Sequence, residues 1–166
     1  MQEQNTEKKR DVVSSFEDNQ KATVDVAKIA QRGLAIYTPD LEPGIYDHED
    51  FIAVVKRLVL SKRYARVRVL ISNPGRAIRN GHRLVSLGRR LNSYIEFRDV
   101  QEEFREDHKE AFILADDRAL MYRADAGRWE GMVGLNEPAI ARQHLNVFEK
   151  IWQVSEYKQE LRRLSV

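Results

Sequence analysis

The sequence predicts an α/β domain in which a mixed β-sheet is flanked by helices. Three observations predict it. Short apolar runs typical of buried strands alternate with segments whose apolar residues recur every three or four positions. The stretch 107–123, DHKEAFILADDRALMYR, reads as two strands, 110–115 and 119–123, joined by the turn Asp116-Asp117-Arg118. In the first of these the apolar run from Ala111 to Ala115 is unbroken, the signature of a strand covered on both faces.

Taken in order, residues 1–18 are polar and without period, which predicts a disordered or loosely attached tail ahead of one domain over 19–166. Ala22, Val26, Ile29 and Ala30 predict a helix over 19–32, stopped by Gly33, and GLAIYT at 33–38 a first strand. Pro39, Pro43 and Gly44 then force an irregular connection. Asp47 or His48 is placed to cap a helix over 49–62, whose inner face holds Phe51, Ile52, Val55, Leu58 and Val59. A second strand over 66–72 and an Asn73-Pro74-Gly75 turn lead to a helix over 78–91, with Leu84, Leu87 and Leu91 inward. Residues 93–98 form a third strand, and 101–107 a charged link, short-helical or loop, into the hairpin. Beyond it, glycines mark a loop over 124–131 and 132–135 a short strand. Pro138 opens a helix over 137–153 with Ile140, His144, Leu145, Phe148 and Trp152 on one stripe, and Ser155 caps a last helix over 155–164.

Composition excludes several classes. The 166 residues suffice for one domain with a real core. The absence of cysteine rules out disulfides, thiolate catalysis and thiolate metal sites, and suits a cytoplasmic location. The N-terminus lacks the apolar core of a secretory signal, and the longest apolar run is about five residues, far short of a membrane span. The net charge of +2 conceals a segregation. From Phe51 to Ile95 there is no Asp or Glu but eleven Lys or Arg, between an acidic first fifty residues and an acidic remainder. Such a span either faces a phosphate-rich partner or is neutralised by acids of the same fold. For a nucleic-acid partner, Arg76, Arg79, Arg83, Arg89 and Arg90 are the candidates.

The four histidines, at 48, 82, 108 and 144, lie on separate elements without a ligand partner at helical spacing, so neither a metal nor a cofactor is expected. His144 reads as a core or boundary residue. His82, among arginines, reads as surface or phosphate-facing. Asp116-Asp117 fits an acid/base pair or a metal ligand, and fits better a turn whose carboxylates bond their own backbone. Tyr122 and Arg123 end a strand near His108. With Arg98 at the end of the third strand they are candidates for a pocket taking a phosphate or carboxylate. The alternative is an internal ion-pair network of Arg123 with Asp116, Glu130 or Glu137.

The order of elements and the segment DHKEAFILADDRALMYR resemble a single half of the phospholipase D superfamily, as do NEPAIARQHLNVFEKIW and SEYKQELRRL, over roughly residues 22–164. The likeness is to a bacterial type of that fold sometimes attached to acetyltransferase domains. It implies a phosphodiesterase motif of a nucleophilic His, a Lys two residues on and an Asp seven residues after the His, with two motifs meeting in a homodimer or pseudo-dimer. Counted from His108, those places hold Glu110 and Ala115; counted from Lys109, they hold Ala111 and Asp116. Neither register restores the motif, and Asn136-Glu137 alone resembles the Asn-Glu that closes such sites. The resemblance therefore implies a non-catalytic member that binds or scaffolds, with nucleic acid or another phosphate-bearing ligand as its partner. The alternatives are a homodimeric protein-interaction module and a residual hydrolase or transferase using His108 with Asp116 and Arg123.

Overall fold

A computed structural model describes residues 10–79 and 81–157, the side chains of 77–79, 156 and 157 excepted. β1 (Arg10–Val13) leads into α1 (Phe16–Ile29), β2 (Gly33–Thr38), the single turn α2 (Pro43–Tyr46), α3 (Glu49–Ser61), β3 (Arg66–Ile71), α4 (Pro74–Arg79), α5 (Arg83–Arg90) and β4 (Ile95–Asp99). There follow α6 (Glu102–Asp107), the hairpin β5 (Ala111–Ala115) and β6 (Ala119–Arg123), β7 (Gly131–Gly134), α7 (Pro138–Val154) and β8 (Glu156–Tyr157). The strands make one mixed sheet in the order β1-β7-β6-β5-β2-β3-β4-β8. Only β2, β3 and β4 run parallel. This is the mixed α/β architecture expected from the alternation of periods.

Side chains alternate across the central strands and so build two cores. Leu34 and Ile36 of β2 join Val26, Phe51, Val55, Leu58 and Leu87 from α1, α3 and α5 on one face. Ala35 and Tyr37 join Phe148, Ile151 and Trp152 of α7 on the other. Each of the larger aliphatic and Phe side chains among these contributes about 1.5–3 kcal/mol by leaving water. The α5 helix lies so close to β4 that a Cβ on Gly88 would stand 2.5 Å from the Phe97 ring. Gly88→Ala is expected to lower stability by about 1–3 kcal/mol through this overpacking, measured by denaturant unfolding.

Three expectations are corrected. Residues 10–13, assigned above to the tail, form β1 and pair antiparallel with β7 from Arg10↔Gly134 to Val13↔Gly131. Two β-branched valines suffice once a partner strand is present, and Val13 is 5% exposed. Ser15 then caps α1, its Oγ accepting the Asp18 N–H at 3.0 Å. The single helix over 78–91 is two, broken at Gly81, whose φ of +60° leaves the helical region, and restarted at His82. Ser155 does not cap a further helix. It closes α7, its Oγ donating to Ile151 O at 2.6 Å, and the next two residues form β8 against Arg98 and Asp99. The remainder of the helix expected over 155–164, and residues 1–9, lie outside the described residues. At α3 the N-cap is His48, without a side-chain bond to the helix, and Asp47, the other candidate, accepts from Arg83 instead.

Candidate functional site

Polar side chains converge where β2 ends, β5 begins and β6 ends, beside the carboxyl ends of the parallel strands where α/β sheets hold ligands. Alternation along β6 sends Tyr122 and Arg123 to opposite faces, so two separate clusters form.

On the α1 face Arg123 is 4% exposed. One terminal nitrogen donates to the Glu42 carboxylate and, at 3.2 Å, to Ala126 O. The other reaches Asn19 Oδ1 at 3.5 Å, and Nε has no partner among the described residues. Trp129 lies over the guanidinium, 5.1 Å from ring centre to Cζ, and Asn19 Nδ2 donates to Trp129 O at 2.8 Å. Burial pushes the Glu42 carboxyl up in pKa and Arg123 draws it back; burial likewise raises the phenol of Tyr46 beside it. The cavity left among Asn19, Thr23, Glu42, Tyr46 and Arg123 is about 10 Å³, room for no more than one water.

On the α7 face His108 Nδ1 stands 3.1 Å from Glu110 Oε2, and Tyr37 donates its hydroxyl to His108 O at 3.0 Å. The Tyr122 and His144 rings lie 4.4 Å apart centre to centre, tilted by 30°, and the Phe112 ring neighbours both. Burial first, and the Glu110 charge second, raise the phenols of Tyr37 and Tyr122, whereas burial lowers the imidazole of His144. The boundary position expected for His144 is the one observed.

The other sequence candidates lie elsewhere. Arg98 is on β4, three strands from β5, donating to Glu96 at 2.9 Å and to Trp152 O at 2.7 Å. Asn136 is exposed at the opposite end of β6 and accepts from Arg118 at 3.3 Å. The pocket of Arg98, His108, Tyr122, Arg123 and Asn136 therefore does not assemble. Arg123 is paired internally, but with Glu42 rather than Asp116, Glu130 or Glu137. His108 and Asp116 lie beyond opposite ends of β5, whose five residues alone span roughly 16 Å. Asp116, at φ +55°, accepts the backbone N–H groups of Gln31, Arg32 and Gly33 at 2.8–3.0 Å and so fastens the start of β2. His82 is buried, not phosphate-facing: Nδ1 accepts from Leu84 N–H at 3.1 Å and Nε2 bonds Leu41 O at 2.8 Å, the neutral form that burial favours.

The basic span is also divided. Arg76 pairs with Asp40 at 2.9 Å and Arg83 with Asp47 at 2.7 Å, both acids of the preceding segment. Arg68 forms a bidentate pair with Glu149. Arg89 is partly buried, Arg90 is exposed at the far end of α5, and the Arg79 side chain lies outside the described residues. No group of three His, Asp or Glu that could hold a metal occurs among the described residues.

Sequence reasoning missed Glu42, Asn19 and Trp129. One signal was present: strand alternation alone parts Tyr122 from Arg123. The register Ala111↔Arg123 adds that, with Asp116 as the motif Asp, the residue at the motif Lys position is an alanine facing this guanidinium.

The sequence profile of a domain of unknown function (DUF7931) matches residues 15–164. The chain belongs to that family. No curated protein matches it in sequence. In fold, this DUF7931 chain is phospholipase D-like. It is similar to Nuc, a phospholipase D family member from Salmonella typhimurium, at 19% identity and TM-score 0.63 over 92% of this chain and 99% of that one. It is similar to NucT from Helicobacter pylori at 12% identity and TM-score 0.59 over 92% of this chain and all of that one. It is also similar to TrmBL2, an archaeal chromatin protein with a novel mode of DNA binding, at 13% identity and TM-score 0.65 over 94% of this chain. The DUF7931 chain spans 56% of TrmBL2. Among its described residues no helix is long and apolar enough to cross a membrane.

Proposed function

We propose that this is a non-catalytic phospholipase D-like domain of the cytoplasm that binds or scaffolds a phosphate-bearing partner, nucleic acid foremost. The observation that carries the reading is the Arg123–Glu42 pair. At the place where a phosphodiesterase of this fold needs a free cation and a nucleophilic His, the chain has Ala111 and Lys109, and its buried cation is already neutralised from within. A carboxylate there opposes a phosphodiester rather than receiving it. TrmBL2, part of which is similar in fold to this chain, binds DNA, which supports a nucleic-acid partner in this proposal.

The expected result is no turnover of bis(p-nitrophenyl) phosphate or of labelled RNA and DNA by the wild-type chain, alongside salt-sensitive binding of nucleic acid. Hydrolysis that disappears in His108→Ala would overturn the non-catalytic reading and point to the His108–Glu110 pair. A second reading, a homodimeric interaction module, is favoured by β1. Among the described residues it is an edge strand with Val12 83% exposed, beside an open 620 Å³ hollow in which Val13, Ala22, Val133 and Leu135 are joined by Asp11, Asp18, Lys21 and Asp25. Light scattering at high salt separates the two: a doubled mass without nucleic-acid binding selects the module.

A further inference from the structure

The end of the sheet opposite the Arg123 cluster, where β2, β3 and β4 begin, carries a second concentration of charge. Three connections meet there: Arg32 ahead of β2, residues 62–65 ahead of β3 and residues 91–94 ahead of β4. They are laced together, Arg66 N–H donating to Arg32 O at 3.1 Å and Val67 N–H to Tyr94 O at 2.8 Å. Arg66 is held in place by Arg63 O at 3.0 Å and Ala65 O at 2.8 Å, with its guanidinium 5.4 Å over the Tyr94 ring.

Beside these loops lies an open cavity of about 300 Å³, lined by Arg32, Arg66, Arg68, residues 33–35 of β2, Leu145 of α7 and two aspartates. That is the size of a small-ligand site. Its two aspartates are engaged: Asp116 by three backbone N–H groups, Asp117 by Arg142 at 3.2 Å. Arg32 has only a 3.8 Å contact with Asp117 and a side chain 68% exposed. Lys62, Arg63 and Arg90 make no ion pair among the described residues. Lys62 and Arg90 offset the negative ends of α3 and α5; Arg63 and Tyr64 belong to no helix. Tyr64, 58% exposed, sets an aromatic face among these cations.

We propose that this end of the sheet binds single-stranded nucleic acid, phosphates lying along Arg32, Lys62, Arg63 and Arg90 and an unpaired base stacking on Tyr64. Dispersed cations around an exposed ring are what a flexible polyanion with stacking faces requires, whereas a rigid duplex offers its bases no access to Tyr64. The inference rests on the binding reading above and gives it a place, distinct from the Arg76 and Arg83 surface that is spent on Asp40 and Asp47.

The test is fluorescence anisotropy of a labelled 20-mer oligouridine with the full chain, at two salt concentrations. The wild type is expected to bind, more weakly as salt rises. Arg32→Glu/Arg63→Glu/Arg90→Glu is expected to weaken binding at least a hundredfold and flatten the salt slope by about 2, near 0.7 per lost phosphate contact. Tyr64→Ala is expected to weaken it about tenfold, and Arg76→Glu/Arg83→Glu by less than twofold. Far-ultraviolet melting checks each fold; if the triple reversal unfolds, Arg63→Gln/Arg90→Gln takes its place with at least a tenfold loss expected. No binding by the wild type overturns this inference and the nucleic-acid reading together. Binding that survives the triple variant, or is lost only in the Arg76 and Arg83 variant, overturns the location alone. Equal affinity for polyglutamate overturns the choice of nucleic acid over an acidic polypeptide.

Discussion

Arg123→Met is expected to cost about 3–5 kcal/mol at neutral pH, read from urea unfolding, because it leaves the Glu42 carboxylate buried without its counter-charge. The size follows from burial. Arg123 and Glu42 have side chains only 5% and 14% exposed, and the acid already has a raised pKa in the presence of the cation. A carboxyl whose folded pKa is raised holds its proton more tightly folded than unfolded. Its ionisation therefore weakens the fold as pH rises through the folded pKa, and the cost vanishes below the unfolded value of about 4.3. The Arg123→Met penalty should accordingly shrink between pH 7 and pH 5. Arg123→Met/Glu42→Gln should recover most of the loss, since a neutral amide needs no counter-ion. An equal penalty at both pH values, undiminished in the double variant, would show that lost packing against Trp129 governs the effect instead.

Asp116→Ala is the second large effect, about 3 kcal/mol, since it strips a charged acceptor from the N–H groups of Gln31, Arg32 and Gly33 at once. Asp116→Asn should cost less, because it keeps one acceptor oxygen and suits the φ of +55°. The order Ala worse than Asn, in melting midpoint, is the signature of a structural anchor. Full stability of Asp116→Ala would free this carboxylate for some other role.

The parts of the fold that were legible in the sequence are those decided by local pattern. Ala119–Arg123 and Gly33–Thr38 announce themselves through apolar runs between turn residues, and Pro138 marks the first turn of α7. What stayed hidden depends on partners distant in sequence. Arg10–Val13 is a strand because β7, more than a hundred residues later, presents its edge. Glu42 meets Arg123 across 81 residues, from between two prolines that read only as a break. The basic span was legible as a composition, but not which of its arginines would be claimed by Asp40, Asp47 and Glu149. Those pairings are set by where the acidic segments fold back, and no periodicity encodes that.

The two outermost strands, β1 and β8, come from the beginning and the end of the described chain. The seven inter-strand steps between them, at about 4.8 Å each, set the margins roughly 33 Å apart along the sheet. Each margin is thus hemmed by a short strand with a partner on one side only among the described residues. Cutting away residues 10–13 would bare β7, and cutting away 156 and 157 would bare β4, in either case exposing unpaired backbone that invites association between molecules. Shortened versions of the protein must keep both hems if their self-association is to be read as a property of the native surface. Fluorophores placed at the two hems would form a built-in ruler across the whole width of the sheet.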